Sequence, residues 1–547
     1  MDTARLALIT MTLVLAAWGP PASAAPAPLA ARVEILVPGS VIQAVEGIDI
    51  GPDGMIYGTS IHSRRVYRID PASGLVTVAV ESPYGESDDV AVGPKGSPAE
   101  GVLAWTAQHT GEIRIQRPGG MPIVLMPDVP RVNPIAFTPD GRLFTAQSNF
   151  TVQPGAENAL WELDVIGNKP PRLVAKNKGR LNGFGFGPDG RLYSPHFGTN
   201  EIFAIDVDEG TFTVIAEGVG TTAAVKPDAN GNAWNVDYMT GDLWITDIET
   251  GQSRIFANFP PPLDNLSIAE DGTIYLASLA DSAILGFNPK TGERWDVTVG
   301  HFTVPLGLSM TTLNGKEAIL AADPFGYRFI DPETGVMTRE PEMWSVGGSS
   351  SAVANDDILV TTYSNYGRIR TIDRRTNEVI ADSTAVKTPR GVALTSAGEA
   401  IIADADGNRL IRVVGEEVVE VAAGLKEPIA LLLENDTTAL VTEVASGTIS
   451  RVDLTSGRRT EVASGLHDPL GIARLPDGRV VVVQPGGGKV LALDLGTGER
   501  TVLAYGLPLS INRQDLPENT PLGITVARDG AIYVSCGGDN SIVRITL

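Results

Sequence analysis

Apolar and polar residues alternate along most of this chain, in short runs separated by polar turns. In the stretch from Val45 to Gly58, Ile48 and Ile50 precede a Pro-Asp-Gly turn at 52–54, and Tyr57 follows it. A period of two is typical of half-buried β-strands, and Pro-Asp-Gly supplies turn chemistry. The stretch therefore predicts two strands joined as a β-hairpin.

The same hairpin pattern returns at intervals of roughly 40 to 50 residues, a period that is typical of β-propellers. Its twelve copies begin at Glu46, Asp88, Asn133, Asn182, Ala223 and Asp264, and then, more loosely, at Leu306, Ser351, Arg390, Pro428, Leu470 and Leu522. Each copy continues into a third and a fourth strand, which makes one propeller blade. Since propellers usually close with four to eight blades, the chain is predicted to be all-β, with two tandem six-bladed propellers. A single twelve-bladed ring is the alternative.

The predicted domains are residues 25–300 and 301–547. The last segment, SIVRITL at 541–547, is a third strand, so the twelfth blade lacks its outer strand. RVEILVPG at 32–39 precedes blade one, and RWDVTVG at 294–300 precedes blade seven. We expect each propeller to be sealed by its own N-terminal strand, which leaves no open sheet edge.

Residues 1–24 have the features of a secretory signal: Arg5, an apolar run from Leu6 to Trp18, and a small-residue cleavage site ending at Ala24. They predict a secreted or periplasmic bacterial protein. No later apolar run reaches the roughly 20 residues of a membrane span. The formal charge of -23 argues against nucleic acid as a partner. Cys536 is the only cysteine, so no intramolecular disulfide is possible.

One position separates the two halves of the chain: the residue eight before the turn glycine, which is expected to begin the innermost strand of each blade. In the first half it is Glu46, Asp88, Asn133, Asn182, Ala223 and Asp264, and in the second half it is Leu306, Ser350 or Ser351, Arg390, Pro428, Leu470 and Leu522. Equivalent positions lie on a circle about the propeller axis, so the polar set would converge at one mouth of the channel. Carboxylates that close need a counter-charge, and an all-oxygen set suits Ca²⁺, ahead of Mg²⁺ or Mn²⁺. The alternative is a set of polar residues that line a wet channel.

Three of the five histidines follow the second strand of a blade, where the loop emerges at the same end as the polar set. They are His62, His109 and His196, in blades one, two and four. An imidazole near a bound cation can act as the general base that activates water. His109 is the first choice, and Asp88 is a further candidate, as base or as ligand.

The pattern of Glu46, Asn133, Asn182 and the Asp264-Asn265 pair resembles the six-bladed lactonases and esterases of the gluconolactonase and senescence-marker-protein group, together with the paraoxonase-like propellers. The resemblance covers about residues 32–300. It implies a catalytic Ca²⁺, or another divalent ion, held by a Glu, one or two Asn and an Asp at these places. Family members commonly place the late Asp in the fifth blade, where this sequence has Ala223.

The second half, with Pro-Leu-Gly at Pro305, Pro469 and Pro521, resembles NHL-type propellers, which bind partners or act as scaffolds. No metal site carries over to it. The expected function is hydrolysis of a small-molecule lactone or ester at the mouth of the first propeller, with specificity in the loops at 148–161 and 196–201. The alternatives are a secreted, non-catalytic binding or scaffold protein, and a lyase or cyclisation enzyme. No Gly-x-Ser-x-Gly elbow is present, which argues against a serine nucleophile.

Overall fold

The computed structural model describes residues 31–148, 158–167, 169–340, 350–509, 520 and 522–547. The signal region at 1–24 and most of the 148–161 loop lie outside these residues. Within them the strands form twelve four-stranded antiparallel sheets, with one short 3₁₀ turn at Ser364–Tyr366. The all-β propeller prediction is therefore confirmed. None of the described segments is a helix long and apolar enough to cross a membrane.

Blades one to six, called ring one, contain four consecutive strands each. In order they are Ile48–Ile50, Ile56–Ser60, Arg65–Ile69 and Val76–Val80; Val90–Val92, Leu103–Ala107, Glu112–Gln116 and Ile123–Met126; Val132–Phe137, Leu143–Gln147, Ala159–Leu163 and Arg172–Lys176; Gly185–Phe186, Leu192–His196, Glu201–Asp206 and Thr211–Glu217; Thr222–Pro227, Asn232–Asp237, Asp242–Asp247 and Ser253–Asn258; Leu263–Ile268, Ile274–Ser278, Ala283–Phe287 and Arg294–Thr298.

Blades seven to twelve, called ring two, follow the same plan except in the last blade. They are Leu308–Leu313, Lys316–Asp323, Gly326–Ile330 and Met337–Glu340; Ser351–Ala354, Ile358–Tyr363, Arg368–Asp373 and Glu378–Ser383; Pro389–Leu394, Ala400–Asp404, Arg409–Val414 and Glu417–Ala423; Pro428–Asn435, Thr438–Glu443, Thr448–Asp453 and Arg459–Ala463; Gly471–Arg474, Val480–Gln484, Lys489–Leu493 and Arg500–Ala504; Ile524–Val526, Ile532–Cys536, Ser541–Thr546 and, from the start of the chain, Arg32–Val37.

The blades close into two separate rings. From blade one to blade six, the first strand of each blade lies next to the first strand of the following blade, and those of blades one and six are also neighbours. In the same way, the first strands of blades seven and twelve are neighbours. The first strands therefore line two axes, and the single twelve-bladed ring is excluded.

The predicted closing strands are wrong in both rings. Arg32–Val37 pairs antiparallel with Ser541–Thr546, with Arg32 opposite Thr546, so it completes blade twelve of ring two and does not seal ring one. Arg294–Thr298 pairs with Ala283–Phe287 as the ordinary fourth strand of blade six. The physical reason is proximity along the chain: a strand that follows a tight turn pairs with the strand just before it. The twelfth blade has three consecutive strands, and the N-terminal strand supplies its fourth.

Each ring is also closed by an apolar cluster between its first and last blades. In ring one, Ile48, Ile56 and Tyr67 of blade one pack against Ile284 and Val297 of blade six. In ring two, a matching cluster joins Val37, Phe302, Ile319, Ile330, Tyr533 and Ile542. A fully buried side chain of this size contributes roughly 1.5–3 kcal/mol, so these contacts close the rings without any need for covalent links.

The starts of neighbouring first strands approach very closely around the axis. The Gly47 N–H donates to the Asp88 carbonyl at 2.8 Å. A Cβ on Gly47 would lie 2.5 Å from the Cα of Asp89, so no side chain fits there. The glycine that follows Glu46 therefore allows blades one and two to meet at the mouth of ring one.

The chain passes between the rings twice, at residues 38–47 and 299–307. A buried side chain also joins the two rings. The Arg328 side chain of blade seven is almost fully buried and lies 2.8 Å from the Asp281 carboxylate of ring one. Its guanidinium also stacks over the Phe302 ring at 5.2 Å. Because Arg32–Val37 belongs to blade twelve, ring one is inserted into the sequence of ring two, between the N-terminal strand and blade seven.

Candidate active site at the mouth of ring one

A repeated hydrogen bond fixes the residues at the mouth of ring one. The Thr59 Oγ1 of blade one donates to the Asp88 carbonyl at 2.5 Å, and the Thr106 Oγ1 of blade two donates to the Asn133 carbonyl at 2.8 Å. Each second-strand hydroxyl thereby holds the first polar residue of the following blade. Asp88 and Asn133 lie at corresponding places around the axis.

Asp88 is the centre of a small acidic cluster at this mouth. Its Oδ2 accepts hydrogen bonds from Gln108 Nε2 at 2.6 Å and from Asn133 Nδ2 at 3.1 Å. Burial raises the pKa of Asp88 well above its ordinary value, and the negative charges of Asp264, Asp89 and Glu86 raise it further. Burial, followed by Asp89, raises the pKa of Asp264 to about 7. The structure therefore brings Asp88, Asn133 and Asp264 together.

Asp89, Asp49, Asn265 and Lys226 form a second polar layer, in which Lys226 supplies a positive charge. The buried Asp89 accepts from Asn265 Nδ2 at 3.0 Å and from the Ile135 N–H at 3.1 Å. Lys226 lowers the pKa of both Asp89 and Asp49, against the larger effect of burial, which leaves Asp89 at a pKa of about 6. Since Asn265 comes from blade six and Ile135 from blade three, this layer reaches across the axis.

The two layers differ in how their charge is balanced. Lys226 lowers the pKa of Asp89, whereas among the described residues the charges that act on Asp88 and Asp264 are those of other carboxylates. Buried carboxylates without a facing positive charge favour either protonation or a bound cation. The oxygen donors at the mouth fit a hard divalent ion by their chemistry.

The carboxylates cannot supply the whole ligand set. Within the described part of the chain, no group of three or more His, Cys, Asp and Glu side chains is placed to hold a metal ion by itself. Any cation at this mouth would thus depend on amide oxygens, and Asn133 already contacts Asp88. Asn265 lies apart from this set, because its Nδ2 donates to Asp89 and its Oδ1 accepts from the Leu266 N–H.

His109 lies beside the cluster and is held by a buried carboxylate. The Glu86 Oε1 accepts from the His109 backbone N–H at 3.0 Å and lies 3.4 Å from His109 Nδ1. The Glu86 side chain is only 1% exposed, whereas that of His109 is 33% exposed. Glu86 Oε2 has no hydrogen-bond partner among the described residues. The imidazole is therefore partly exposed and lies beside a buried carboxylate.

A cavity of about 770 Å³ opens at this histidine. Its lining includes His109 and Gln108 from blade two, and Asp128, Pro130 and Arg131 from the segment before blade three. Gln108 also binds Asp88, so one side chain borders both the cavity and the acidic cluster. A small molecule in this cavity would lie against His109 and against Gln108, which binds Asp88.

The other predicted residues have different surroundings. Glu46 is buried and its Oε2 accepts from the Ile61 N–H at 3.0 Å, next to the buried His62. Asn182 is half-buried, and its carbonyl accepts from Ser194 Oγ at 3.3 Å.

His196 also lies outside the Asp88 cluster. Its Nδ1 lies 3.2 Å from Glu201 Oε2 and also contacts Thr199 Oγ1. No described contact connects His196 with the Asp88 cluster.

Sequence reasoning missed Glu86, Gln108, Asp89 and Lys226. The run Glu86-Ser87-Asp88-Asp89 carries three acidic residues directly before the first strand of blade two. This concentration of acids could have indicated that Glu86 and Asp89 belong to the site. Blade five has Ala223 where the other blades of ring one have a polar residue. The same blade supplies Lys226, which acts on Asp89. Nothing in the local sequence distinguishes Gln108 from other loop amides.

No protein-family model matches this chain, and no curated protein sequence does. Among solved structures, the chain is similar to a GH74 enzyme of Niastella koreensis, with 12% identity and a TM-score of 0.51 over 94% of this chain and 92% of that one. It is also similar to the GH74 xyloglucanase from Xanthomonas campestris, with 14% identity and a TM-score of 0.50 over 94% of this chain and 100% of that one. A gluconolactonase from Xanthomonas campestris matches 46% of this chain and 88% of its own length, with 18% identity and a TM-score of 0.38. The two GH74 likenesses show that the chain has a β-propeller fold.

Proposed function

We propose that this chain is a hydrolase that opens a small-molecule lactone or ester at the mouth of ring one. The observation that carries the proposal is the His109–Glu86 pair beside a cavity of about 770 Å³, which Gln108 connects to Asp88. An imidazole held by a buried carboxylate is a suitable general base for hydrolysis. The cavity gives an uncharged ring or ester a place next to that base.

His109 would remove a proton from the attacking water through the ring nitrogen that faces away from Glu86. Glu86 would hold the imidazole in position and stabilise the imidazolium that forms. Asp88 and Asp264, with the amide oxygen of Asn133, would hold a divalent cation, with Ca²⁺ first, whereas Glu46 and Asn182 make no described contact with this set. When bound, such an ion polarises a carbonyl oxygen and stabilises the oxyanion.

We also propose that residues 1–24 direct export, that the substrate is a small molecule, and that nucleic acid is not a partner. The support for the cation is that Asp88 and Asp264 are buried close to other carboxylates, which raises the pKa of both. Placement in the periplasm or medium follows from the signal pattern alone.

The test is acid release from a panel of lactones and esters by the mature protein, followed in a pH-stat with Ca²⁺ present. We expect turnover that falls by about a hundredfold or more in His109→Asn, the usual range for loss of a general base. The matched control is His467→Asn, the same change at an exposed histidine of ring two. Equal activity in both variants would exclude His109 as the base.

Product identity separates the remaining classes of function. An unsaturated product would indicate elimination by a lyase on the same scaffold. Absence of any turnover across the panel would favour a non-catalytic binding protein.

A further inference from the structure

Ring one has a second set of equivalent positions, three residues after each position of the mouth. Each lies on the first strand of its blade and pairs with the residue three before the end of the second strand, as Asp49 does with Tyr57 and Lys226 with Trp234. Two members of the set are charged, and the other four are small. In blade order the set is Asp49, Ala91, Ala136, Gly185, Lys226 and Ser267.

The corresponding positions of ring two are uncharged. The same register of first and second strands gives Ser309, Val353, Ala393, Leu432, Ala473 and Thr525. An acid and a lysine at this place are therefore a feature of ring one and not of the blade repeat.

Two carboxylates of ring one reach from one blade to the next. Asp49 Oδ2 accepts from the Val92 N–H of blade two at 2.8 Å, and Ser267 of blade six also hydrogen-bonds to Asp49. Asp89 Oδ2 accepts from the Ile135 N–H of blade three at 3.1 Å. Since N–H donors favour the ionised form of a carboxyl, the interior of ring one holds negative charge at two places.

Lys226 brings a positive charge to these two acids. Its Nζ donates to the Phe184 carbonyl of blade four at 2.8 Å, which fixes the position of the ammonium. It acts through space on both Asp49 and Asp89 and lowers the pKa of each. Gly185 keeps the path of the lysine clear, because a Cβ there would lie only 3.1 Å from Lys226 Cδ.

The rest of the set offers little to a free ion. Ala91, Ala136 and Gly185 have no side-chain oxygen. Buried carboxylates favour either protonation or a cation nearby, and a lysine supplies the cation without a bound ion. The chain itself thus provides what the mouth layer would have to take from solution.

We propose that Lys226 is the built-in cation of ring one: it takes the place of a metal ion beside Asp49 and Asp89, so that a divalent ion binds only in the mouth layer. This role of Lys226 does not depend on hydrolase activity or on the substrate. A cation site should therefore open when the ammonium is removed and its space is left empty.

The test is calorimetric titration of the full mature chain with Ca²⁺, together with thermal unfolding in EDTA and in Ca²⁺. Lys226→Ala removes the charge and leaves space beside Gly185, whereas Lys226→Met removes the charge and keeps most of the side-chain length. In EDTA both variants should melt about 5 °C or more below the native chain, because two carboxylates lose their cation. Ca²⁺ should restore Lys226→Ala, which should bind one ion more than the native chain, and should not restore Lys226→Met.

Lys290→Ala is the matched control, since Lys290 is an exposed lysine of ring one whose Nζ also donates to a backbone carbonyl, that of Asp271, at 2.9 Å. It should change neither the melting temperature nor the number of bound ions. The double variant Lys226→Met with Asp49→Asn removes one charge of each sign, so it should regain part of the stability that Lys226→Met loses. A side chain that only fills space would show no such recovery.

The proposal is overturned if Lys226→Met melts like the native chain in EDTA, if Lys226→Ala binds no more Ca²⁺ than the native chain, or if Lys226→Met also binds the additional ion. If the single variants fail to fold, the double variant decides: its folding supports the proposal, and its failure to fold overturns it. The additional ion is counted against the native chain, so the result holds whether or not the mouth of ring one binds Ca²⁺. Lactone turnover is scored separately, so failure of this role and failure of the hydrolase proposal are distinguishable.

Discussion

The mouths of the two rings share a backbone arrangement and differ in chemistry. The same threonine bond holds Asn133 in ring one and Arg390 in ring two, and the same amide bond holds Asp88 and Ser350. The scaffold therefore fixes where side chains lie around the axis without fixing what they do. Ring one places acids and a held histidine there, whereas ring two places a buried arginine. The difference teaches that function on this fold is decided at a few positions of each blade.

The rings also differ in how they close. Ring one consists of six blades with four consecutive strands each, whereas ring two borrows Arg32–Val37 from the start of the chain. Ring one can be completed as soon as blade six is formed. Ring two cannot be completed until its last strand in sequence order, Ser541–Thr546, has met a strand that lies more than a whole ring earlier in the sequence.

The largest expected effect follows from this difference in closure. Val37→Asp places a carboxylate in the apolar cluster between blades seven and twelve, where Val37 is 1% exposed. We expect a loss of about 3 kcal/mol or more in the free energy of unfolding, from lost burial and from the buried polar group. Hydrogen exchange should increase in ring two first. Val297→Asp, in the corresponding strand of blade six, should instead affect ring one; exchange that increases in ring one for Val37→Asp would contradict the observed pairing.

The next effect sharpens the contrast between the two mouths. Asp88→Asn should remove tightly bound divalent metal from the dialysed protein, from about one ion per chain to none, because the mouth loses one of its few carboxylates. Asp406→Asn makes the same change in ring two and should leave the metal content unaltered. Elemental analysis of both variants after dialysis measures this. Equal metal content in native protein and Asp88→Asn would mean that the acids only line the channel.

A smaller effect is expected for the residue that holds the proposed base. Glu86→Gln should lower kcat by about tenfold to a hundredfold with little change in KM, because the imidazole remains but loses its charged support. The pH profile of kcat should shift as well, since the imidazolium is no longer stabilised. Glu86→Asp should restore part of the activity. A rise in KM alone would indicate that Glu86 only shapes the cavity.

The sequence predicts the repeating architecture well because each blade is a local unit. Alternation around Pro-Asp-Gly turns depends on residues a few positions apart, and all twelve copies became sheets. The closing strands were wrong because pairing between Arg32–Val37 and Ser541–Thr546 depends on two distant segments, which a repeat pattern cannot connect. Glu86 and Lys226 were missed for a related reason: their roles depend on His109 and Asp89, which lie elsewhere in the sequence.

The smallest effect concerns two ion-pair sites, one on each ring, in which a glutamate contacts two arginines. Glu162 lies 2.7 Å from both Arg142 and Arg172, and Glu434 lies 2.6 Å from both Arg451 and Arg474. Hydrogen bonds from Arg142 and from Arg451, respectively, are the main cause that holds the pKa of each carboxyl below its ordinary value. A lowered pKa in the folded state stabilises the fold above the ordinary glutamate range, and this stabilisation is lost as the pH falls through the lowered pKa.

Glu162→Gln and Glu434→Gln should therefore each cost about 1 kcal/mol at neutral pH, and the cost should disappear in acid, where the native carboxylates are protonated. Urea unfolding at both pH values measures this, with hydrogen exchange assigning each loss to its ring. Glu249→Gln, at an exposed glutamate of ring one, is the control and should cost nothing at either pH. Since each glutamate contacts two guanidinium groups, losses of similar size are expected in the two rings. A clearly larger loss for Glu434→Gln would mean that ring two, closed by a distant strand, depends more on its surface ion pairs than ring one does.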